Sequence, residues 1–268
     1  PRDGSDRNRT SPFAFTGNKF EFRMVGSSDS IAVSSYILNT IVADSLSQIA
    51  DRLETCADFD AEIQKIVQET VRDHGRVIFN GNNYTDEWVE EAERRGLPNF
   101  RNTVDAISAM IAPKNIALME KFHVMSGAEC QARYEIMLEN YCKLVSIEGA
   151  TMCEMSRRQI LPAVTEFAGK MAQSYSQLKA AGVENEAVLN LVKQLSGYIT
   201  EMERVTSQLE GALNTCTGIT DHFEDAKYHR DTIRTLMEEL RGVSDRMETM
   251  VSAEAWPIPT YADLLYRV

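Results

Sequence analysis

The residues whose types and spacing suit chemistry lie near the amino end of the sequence: Lys19, Glu21 and Arg23. They alternate with Phe20 and Phe22, so a strand would place the three charged groups on one face and the two rings on the other. We expect the two rings to face the core. The charged row suits an anionic ligand with a bound metal, because a carboxylate holds the cation and arginines bind phosphate or carboxylate oxygens in bidentate fashion.

Two more arginines, Arg7 and Arg9, precede this segment, and the turn signal Thr16-Gly17-Asn18 lies between them and the charged row. A turn there would fold both arginines back beside Glu21 on a paired strand. An exposed strand with a solvated charged face has the same pattern. The spacing alone therefore leaves both interpretations open.

The composition excludes several classes of protein. The 268 residues suffice for one large domain or two ordinary ones, and the 43% of hydrophobic residues is normal for a globular core. The net charge of −12 argues against a general nucleic-acid binder, since a phosphate backbone requires a basic surface. No apolar run approaches membrane-spanning length and no signal peptide is visible, so we expect neither nucleic acid nor membrane as a partner.

The cysteines indicate a reducing compartment. They are odd in number, widely spaced and free of any CxxC pair, and they are Cys56, Cys130, Cys142, Cys153 and Cys216. This pattern is typical of reduced, buried thiols in a cytoplasmic protein.

The rest of the chain, which must support the charged row, is predicted to be mainly α. Residues 1–28 are the only convincing β region, and helices are predicted from about residue 30 almost to the end. Ser126-Gly127-Ala128-Glu129 has the form of a capping box and begins a long helix. Pro162 is expected to kink or interrupt that helix, and Gly182 is expected to end it.

Shorter helices are predicted before the capping box. One spans about Asp60 to Arg72, and a short acidic helix is capped by Thr85 and stops at Gly96. Asn102 or the residue after it caps the next helix.

Two heptad series follow Gly182. The first is Val188, Leu195, Met202 and Leu209, partnered by Leu191, Tyr198, Val205 and Ala212. The second is Ile219, Ala226, Ile233, Leu240 and Met247, partnered by His222, His229, Leu236, Val243 and Met250. Two heptad helices joined by a short turn predict a long antiparallel helical hairpin, after which the tail around Trp256 is expected to dock in extended form.

A second group of chemically active residues lies on this hairpin. His222, Asp225 and His229 share a helical face, so one interpretation is a metal-binding trio. The alternative, which we favour because two turns separate the histidines, is that both histidines fill polar positions in the hairpin seam. Cys142 and Cys153 share a face but lie too far apart to chelate one ion, so we expect core thiols. The sequence contains no G-x-S-x-G, Walker-type or GxGxxG motif.

The segment "DRNRTSPFAFTGNKFEFR" resembles the carboxy-terminal active-site segment of glutamine synthetases, in which an Arg-rich stretch leads into a strand ending Glu-x-Arg. Further blocks resemble the type III subfamily: "VGSS", "FNGNNYTDEWVEEAERRGLPN", "PKNIALMEKFHVMS", "RYEIMLENYCK", "RRQILPAV" and "WPIPTYADLL". Because the sequence opens with Pro1 and its first methionine is Met24, we expect a carboxy-terminal piece of a longer protein.

The resemblance implies ATP-dependent ligation of glutamate and ammonia to glutamine through a γ-glutamyl phosphate. It implies ATP and Mg²⁺ or Mn²⁺ as cofactors, and a cytoplasmic homo-oligomer as the parent enzyme. Glutamate, ammonia and ATP are then the expected small-molecule partners.

The resemblance also assigns roles to the charged row. Glu21 matches the metal-binding glutamate of the strand, and Arg23 and Arg9 match catalytic arginines that hold the substrate and the transferred phosphoryl group. Lys19 falls where a basic residue near the nucleotide phosphates is expected. The sequence departs from the bacterial and eukaryotic types at Phe13-Ala14-Phe15, where those types have another arginine.

The expected organisation has three parts. Residues 1–127 form the end of the catalytic domain, with β strands in 1–28 and helices in 30–125. Residues 128–252 form a region of long helices with the hairpin, and residues 253–268 form the extended tail. We expect this piece alone to be inactive; the alternative function is a non-catalytic helical assembly module.

Overall fold

A computed structural model of the chain describes residues 13–15, 20–22, 26, 30–79, 81, 85–259 and 261–266. These residues are mainly helical, which confirms the predicted fold class at that level. The chain divides into two compact units, Pro1–Gln131 and Ala132–Val268. The predicted division at residues 127 and 252 remains a prediction.

The described part of the amino-terminal segment contains two short strands. Strand β1, Phe13–Phe15, pairs antiparallel with strand β2, Phe20–Phe22. The ring of Phe22 is 41% exposed, so the expectation that both rings of the charged row face the core is wrong for this residue. Two strands of three residues form a sheet too small to cover a ring.

Five α-helices of the described residues lie wholly within the first unit. They are α1 (Ala32–Thr55), α2 (Phe59–His74), α3 (Asp86–Arg94), α4 (Thr103–Ser108) and α5 (Pro113–Lys121). Their ends agree with the sequence signals: Asn102 accepts a 2.9 Å hydrogen bond from the backbone N of Asp105, and Gly96 adopts a φ of +69° just after α3. The predicted cap of α4 and the predicted end of α3 are thereby confirmed.

Helix α1 packs against α2 and α5. Arg52 of α1 donates to Glu62 and, at 2.7 Å, to Glu69 of α2. The small apolar core of this unit contains Met119, Met125 and Cys130, against which Tyr36 and Ile37 pack.

The second unit consists of long helices with two wide π turns. Its elements are α6 (Gly127–Met155, from residue 132 onward), a π turn (Ser156–Ile160), α7 (Leu161–Ala180), α8 (Glu186–Cys216), α9 (His222–Tyr228), a second π turn (His229–Ile233), α10 (Arg234–Glu248) and α11 (Tyr261–Tyr266).

The signals that begin and end these helices act as the sequence predicts. Ser126 and Glu129 form the capping box of α6, with the backbone N of Ser126 2.8 Å from a Glu129 carboxylate oxygen. Pro162 lies in the first turn of α7, directly after the π turn that interrupts the long helix. Gly182, at a φ of +84°, follows the end of α7.

The heptad positions form the core of the second unit. Leu195, Met202 and Leu209 of α8 are fully buried, as are Val243 and Met247 of α10. Helix α8 packs against both α7 and α10. At the rim of the core, Glu201 accepts a hydrogen bond from Arg246 at 3.0 Å, and Arg204 donates to Glu239 at 2.5 Å.

The tail differs from the expectation. Trp256 is buried in the core as predicted, but residues 261–266 form helix α11 rather than an extended segment. Leu264 and Leu265 favour a helix, and Asp263 in the first turn interacts favourably with the positive end of the helix dipole. The prediction of a fully extended tail is therefore wrong.

Among the described helices, none combines the length and the apolar character that crossing a membrane requires.

Candidate functional site

Of the four predicted active-site residues, the structure describes only Glu21, in β2. Arg9, Lys19 and Arg23 fall outside the described residues, so their assigned roles remain predictions. Glu21 is the central residue of β2, and its backbone lies opposite Ala14 of β1. The backbone at Glu21 thus has the strand conformation that the alternating sequence pattern predicts.

The register of this ladder is symmetric about Glu21. Phe22 pairs with Phe13, and Phe20 pairs with Phe15. The apolar segment Phe13-Ala14-Phe15, where the bacterial and eukaryotic types carry an arginine, is therefore the strand that pairs with the predicted metal-binding residue. An amide ladder of this kind fixes the height of each residue along the strand to within one peptide unit.

A second polar cluster lies inside the helical unit. Cys142, Asp225 and His229 each offer one ligand atom, and these atoms lie within 4.8 Å of one another. The imidazole of His229 is almost completely buried, with 2% of its surface exposed. Buried polar side chains of these types need defined partners, because an unpaired polar group is costly away from water.

The hydrogen bonds of His229 define the geometry of this cluster. Its Nδ1 lies 3.1 Å from the Oδ1 carboxylate oxygen of Asp225 and 2.9 Å from the backbone oxygen of the same residue. Its Nε2 lies 2.7 Å from the hydroxyl oxygen of Ser146. Both ring nitrogens are therefore oriented by contacts from two different helical segments.

Two helical spacings bring the four side chains together. Cys142 and Ser146 are four residues apart on α6 and share one of its faces. Asp225 of α9 and His229, the first residue of the second π turn, are also four residues apart. Single wide turns of this kind inside helices frequently occur at functional sites.

The thiols around the cluster are protonated at neutral pH. Burial raises the pKa of the Cys142 thiol to about 12, and the negative charge of Asp225 adds to the effect. Burial and the same carboxylate also raise the pKa of Cys216. A thiol in this state is a poor nucleophile, because the thiolate is the reactive form.

The sequence predicts only part of this cluster. His222 lies exposed at the start of α9, so the expectation that both histidines fill the seam is wrong for this residue. The first turn of a seven-residue helix faces solvent there, whereas His229 lies two turns further along the chain and is buried. Cys142 is buried, as expected of a core thiol, but its contact with Asp225 was not anticipated.

Comparison with known proteins identifies the type of enzyme to which the chain is similar. A family model described as the glutamine synthetase C-terminal domain matches residues 62–179. The chain is 34% identical to a glutamine synthetase of Butyrivibrio fibrisolvens over 278 residues, which cover 100% of this chain and 39% of that protein.

Two other relatives agree. A type-3 glutamine synthetase of Dictyostelium discoideum is 32% identical over 276 residues, covering 99% of this chain and 37% of that protein. A glutamine synthetase of Bacteroides fragilis (strain YCH46) is 29% identical and is covered over 38% of its length. The chain thus spans well under half the length of these curated relatives.

Proposed function

The chain belongs to the glutamine synthetase family, and we propose that it is a carboxy-terminal portion of a type III enzyme that joins glutamate and ammonia at the expense of ATP. The observation that supports this most strongly is similarity along the entire chain to proteins named glutamine synthetase. The active-site pattern around β2 agrees with it.

The proposed reaction has two steps. The γ-phosphoryl group of ATP passes to the side-chain carboxylate of glutamate, giving ADP and γ-glutamyl phosphate. Ammonia then attacks the acyl carbon, and phosphate leaves as the C–N bond forms. Both steps concentrate negative charge, so positioned cations contribute most of the stabilisation.

This chain supplies three of those cations. Arg23 and Arg9 hold the glutamate carboxylate and the transferred phosphoryl group, since a guanidinium binds two oxygens in a fixed plane. Lys19 binds near the nucleotide phosphates as a point charge. Together they orient the two substrates for in-line transfer.

Glu21 is the residue of this chain that would hold Mg²⁺ or Mn²⁺. Its side chain ends in a carboxylate, the oxygen ligand that hard divalent cations prefer, and its backbone is fixed in β2. When bound, the metal neutralises charge on the phosphates. One carboxylate does not complete such a site, so the other ligands belong to the remainder of the parent enzyme.

In this proposal β1 and β2 belong to the end of a catalytic domain, and helices α8 and α10 form the antiparallel hairpin. The ion pairs of Glu201 with Arg246 and of Arg204 with Glu239 support it, because they follow opposite orders along the two helices. The parent enzyme is cytoplasmic and homo-oligomeric.

The test is a substitution of Arg23 in the full-length protein that carries this sequence. Arg23→Ala is expected to lower the rate of glutamine formation about 10²–10³-fold, the usual effect of removing one group that stabilises developing negative charge. The matched control is Arg241→Ala, an arginine on α10 whose side chain is 72% exposed. Equal activity of both variants would overturn the proposal.

A second candidate function is a non-catalytic assembly module. Helix α6 exposes Ile136, Leu144 and Ile147, which recur at helical spacing on its surface. Under this alternative, Leu144→Glu changes the oligomeric state measured by sedimentation, and Arg23→Ala leaves glutamine formation unchanged.

A further inference from the structure

We propose that Cys142, Asp225 and His229 form a binding site for a borderline-soft divalent cation such as Zn²⁺. The three donor atoms come from two separate segments of the second unit and converge to within 4.8 Å. A sulfur, a nitrogen and a carboxylate oxygen in one small volume make up a donor set that Zn²⁺ binds in proteins.

The distance between two of the three donors fits tetrahedral coordination. Ligand atoms about 2.0–2.1 Å from a zinc ion at tetrahedral angles lie about 3.3 Å from each other. His229 Nδ1 and Asp225 Oδ1 are 3.1 Å apart. Because Nδ1 also lies 2.9 Å from the backbone oxygen of Asp225, a metal on Nδ1 would replace that hydrogen bond, and the thiolate of Cys142 would complete a triangular face.

The surroundings of His229 match a metal ligand in a second respect. When Nδ1 binds a cation, the proton of the ring resides on Nε2, which lies 2.7 Å from the Ser146 hydroxyl oxygen and donates to it. Metal-binding histidines regularly donate their other ring N–H in this way, which fixes the tautomer and the ring orientation.

The charges of the cluster favour a cation. The Cys142 sulfur and a carboxylate oxygen of Asp225 lie within 4.8 Å of each other, so the two groups repel each other when both carry negative charge. A divalent cation removes that conflict, because it binds the thiolate and the carboxylate together and releases the thiol proton to solvent.

The same contacts also connect Asp225, His229 and Ser146 in the order of a hydrolase triad. Ser146 lies in the middle of α6, where the backbone N–H groups around it are engaged in helix hydrogen bonds and are not free to stabilise an oxyanion. The thiol of Cys142 has no part in a triad. The metal site accounts for the convergence of Cys142 with Asp225 and His229, whereas the triad does not.

This inference is independent of the proposed ligase. The cluster lies in the long-helix region, on residues other than the charged row of β2. A metal there would clamp α6 to the α9 segment and stabilise the helical unit. Loss of this metal is expected to lower thermal stability.

The test is a titration of the chelator-treated chain with Co²⁺, followed by Zn²⁺. We expect one equivalent of Co²⁺ to bind with intense visible absorption typical of tetrahedral geometry and with a near-ultraviolet sulfur-to-cobalt charge-transfer band. Zn²⁺ should displace it and remove both features. Absence of the charge-transfer band from the folded chain would overturn the proposal.

Variants locate the ion. Cys142→Ser should abolish the charge-transfer band, because it removes the sulfur ligand. Asp225→Asn should weaken Co²⁺ binding more than about 100-fold. Ser146→Ala should weaken Co²⁺ binding by only about 10-fold, because Ser146 orients a ligand and does not bind the ion. The control is Cys153→Ser, which removes another buried thiol of α6. Far-ultraviolet circular dichroism verifies the fold of each variant. A charge-transfer band that survives Cys142→Ser but disappears in Cys153→Ser would contradict the assignment.

Discussion

Glu21 is expected to act as a metal ligand and not as a general base. Its neighbours at positions 19 and 23 are cations, which stabilise the charged form of a carboxylate and make it a weak proton acceptor at neutral pH. Glu21→Gln in the full-length protein keeps the shape of the side chain but removes its charge. We expect a higher Mg²⁺ concentration for half-maximal activity and a lower maximal rate.

The control for this variant is Glu238→Gln, whose side chain is 73% exposed on α10. It should leave the metal dependence unchanged. If Glu21→Gln instead shifts only the pH profile of the reaction, the residue is an acid–base group and the assignment is wrong.

Glu91 of α3 provides a pH prediction with a defined sign. Arg94 and Arg95 donate to its carboxylate at 2.6 and 2.5 Å, and these bonds lower its pKa to about 2. A lowered pKa in the folded state stabilises the protein above the ordinary pKa of 4.5, and this contribution is lost as pH falls toward 2. Arg95 also donates to the backbone oxygen of Ile78 at 2.7 Å.

We therefore expect Glu91→Gln to unfold at lower denaturant concentration than the unchanged chain at pH 7, with the difference shrinking as pH falls from about 4.5 to 2. The control is Glu90→Gln, an exposed glutamate of the same helix. A carbon-13 titration of the Glu91 carboxyl group that gives a midpoint near 4.5 would contradict the prediction.

At the level of single residues, the sequence predicts chemistry where the motif is local. Lys19, Glu21 and Arg23 can be recognised because strand alternation places them two residues apart. The contact of Cys142 with Asp225 could not be found this way, since 83 positions separate these residues and only tertiary packing joins them. The i, i+4 spacings of Cys142 with Ser146 and of Asp225 with His229 are the local signals.

Helices α8 and α10 allow a test of the heptad register. Leu195 is fully buried and Leu240 is 2% exposed, so replacing either with Ala should lower the free energy of unfolding by about 2–5 kcal/mol. The exposed control Glu238→Ala should cost well under about 1 kcal/mol. Equal costs in urea denaturation would show that the register is wrong.

The first π turn carries a buried hydroxyl pair that can be tested by a double-mutant cycle. Ser156 Oγ lies 2.7 Å from Thr206 Oγ1 of α8, and both residues are buried. Ser156→Ala or Thr206→Val alone leaves one buried hydroxyl without this partner and should cost about 1–3 kcal/mol. The double variant should cost less than the sum, because it removes both polar groups together.

Chemical denaturation of the four proteins measures this coupling. Strict additivity of the two single costs would mean that each hydroxyl satisfies itself within its own helix, as Ser and Thr do when they bond a carbonyl four residues earlier. The π turn would then have no role in aligning the pair.

Among the elements, the long helices and their caps were predictable and the π turns were not. Heptad spacing and the Ser126–Glu129 box are local signals that depend on few residues. A π turn at His229–Ile233 or at Ser156–Ile160 adds a fraction of a residue to one turn, and it is selected by packing against α8. Helix α11 was missed because prolines before it dominated the local pattern.

At the scale of the whole molecule, the chain has two compact units and, under the proposed function, carries only part of a catalytic centre. The division between the units follows Gln131, and β2 lies in the first of them. The sequence predicts the family because different blocks that resemble it are distributed along the full length of the chain. The relatives confirm this prediction. The sequence does not predict the residues that complete the site, because those would lie in the greater part of each relative that this chain does not match.

The isolated chain is therefore expected to form no measurable glutamine from glutamate, ammonia and ATP. One carboxylate and three cations cannot hold the metal ions and both substrates in register, and catalysis by positioning is lost when the partners are not fixed. The measurement is glutamine release by the purified 268-residue chain, with the full-length protein as the positive control. Circular dichroism should show a helical, folded chain, so that inactivity reflects missing site residues and not unfolding. Appreciable glutamine formation by the chain alone would mean that residues assigned to the remainder of the parent are dispensable.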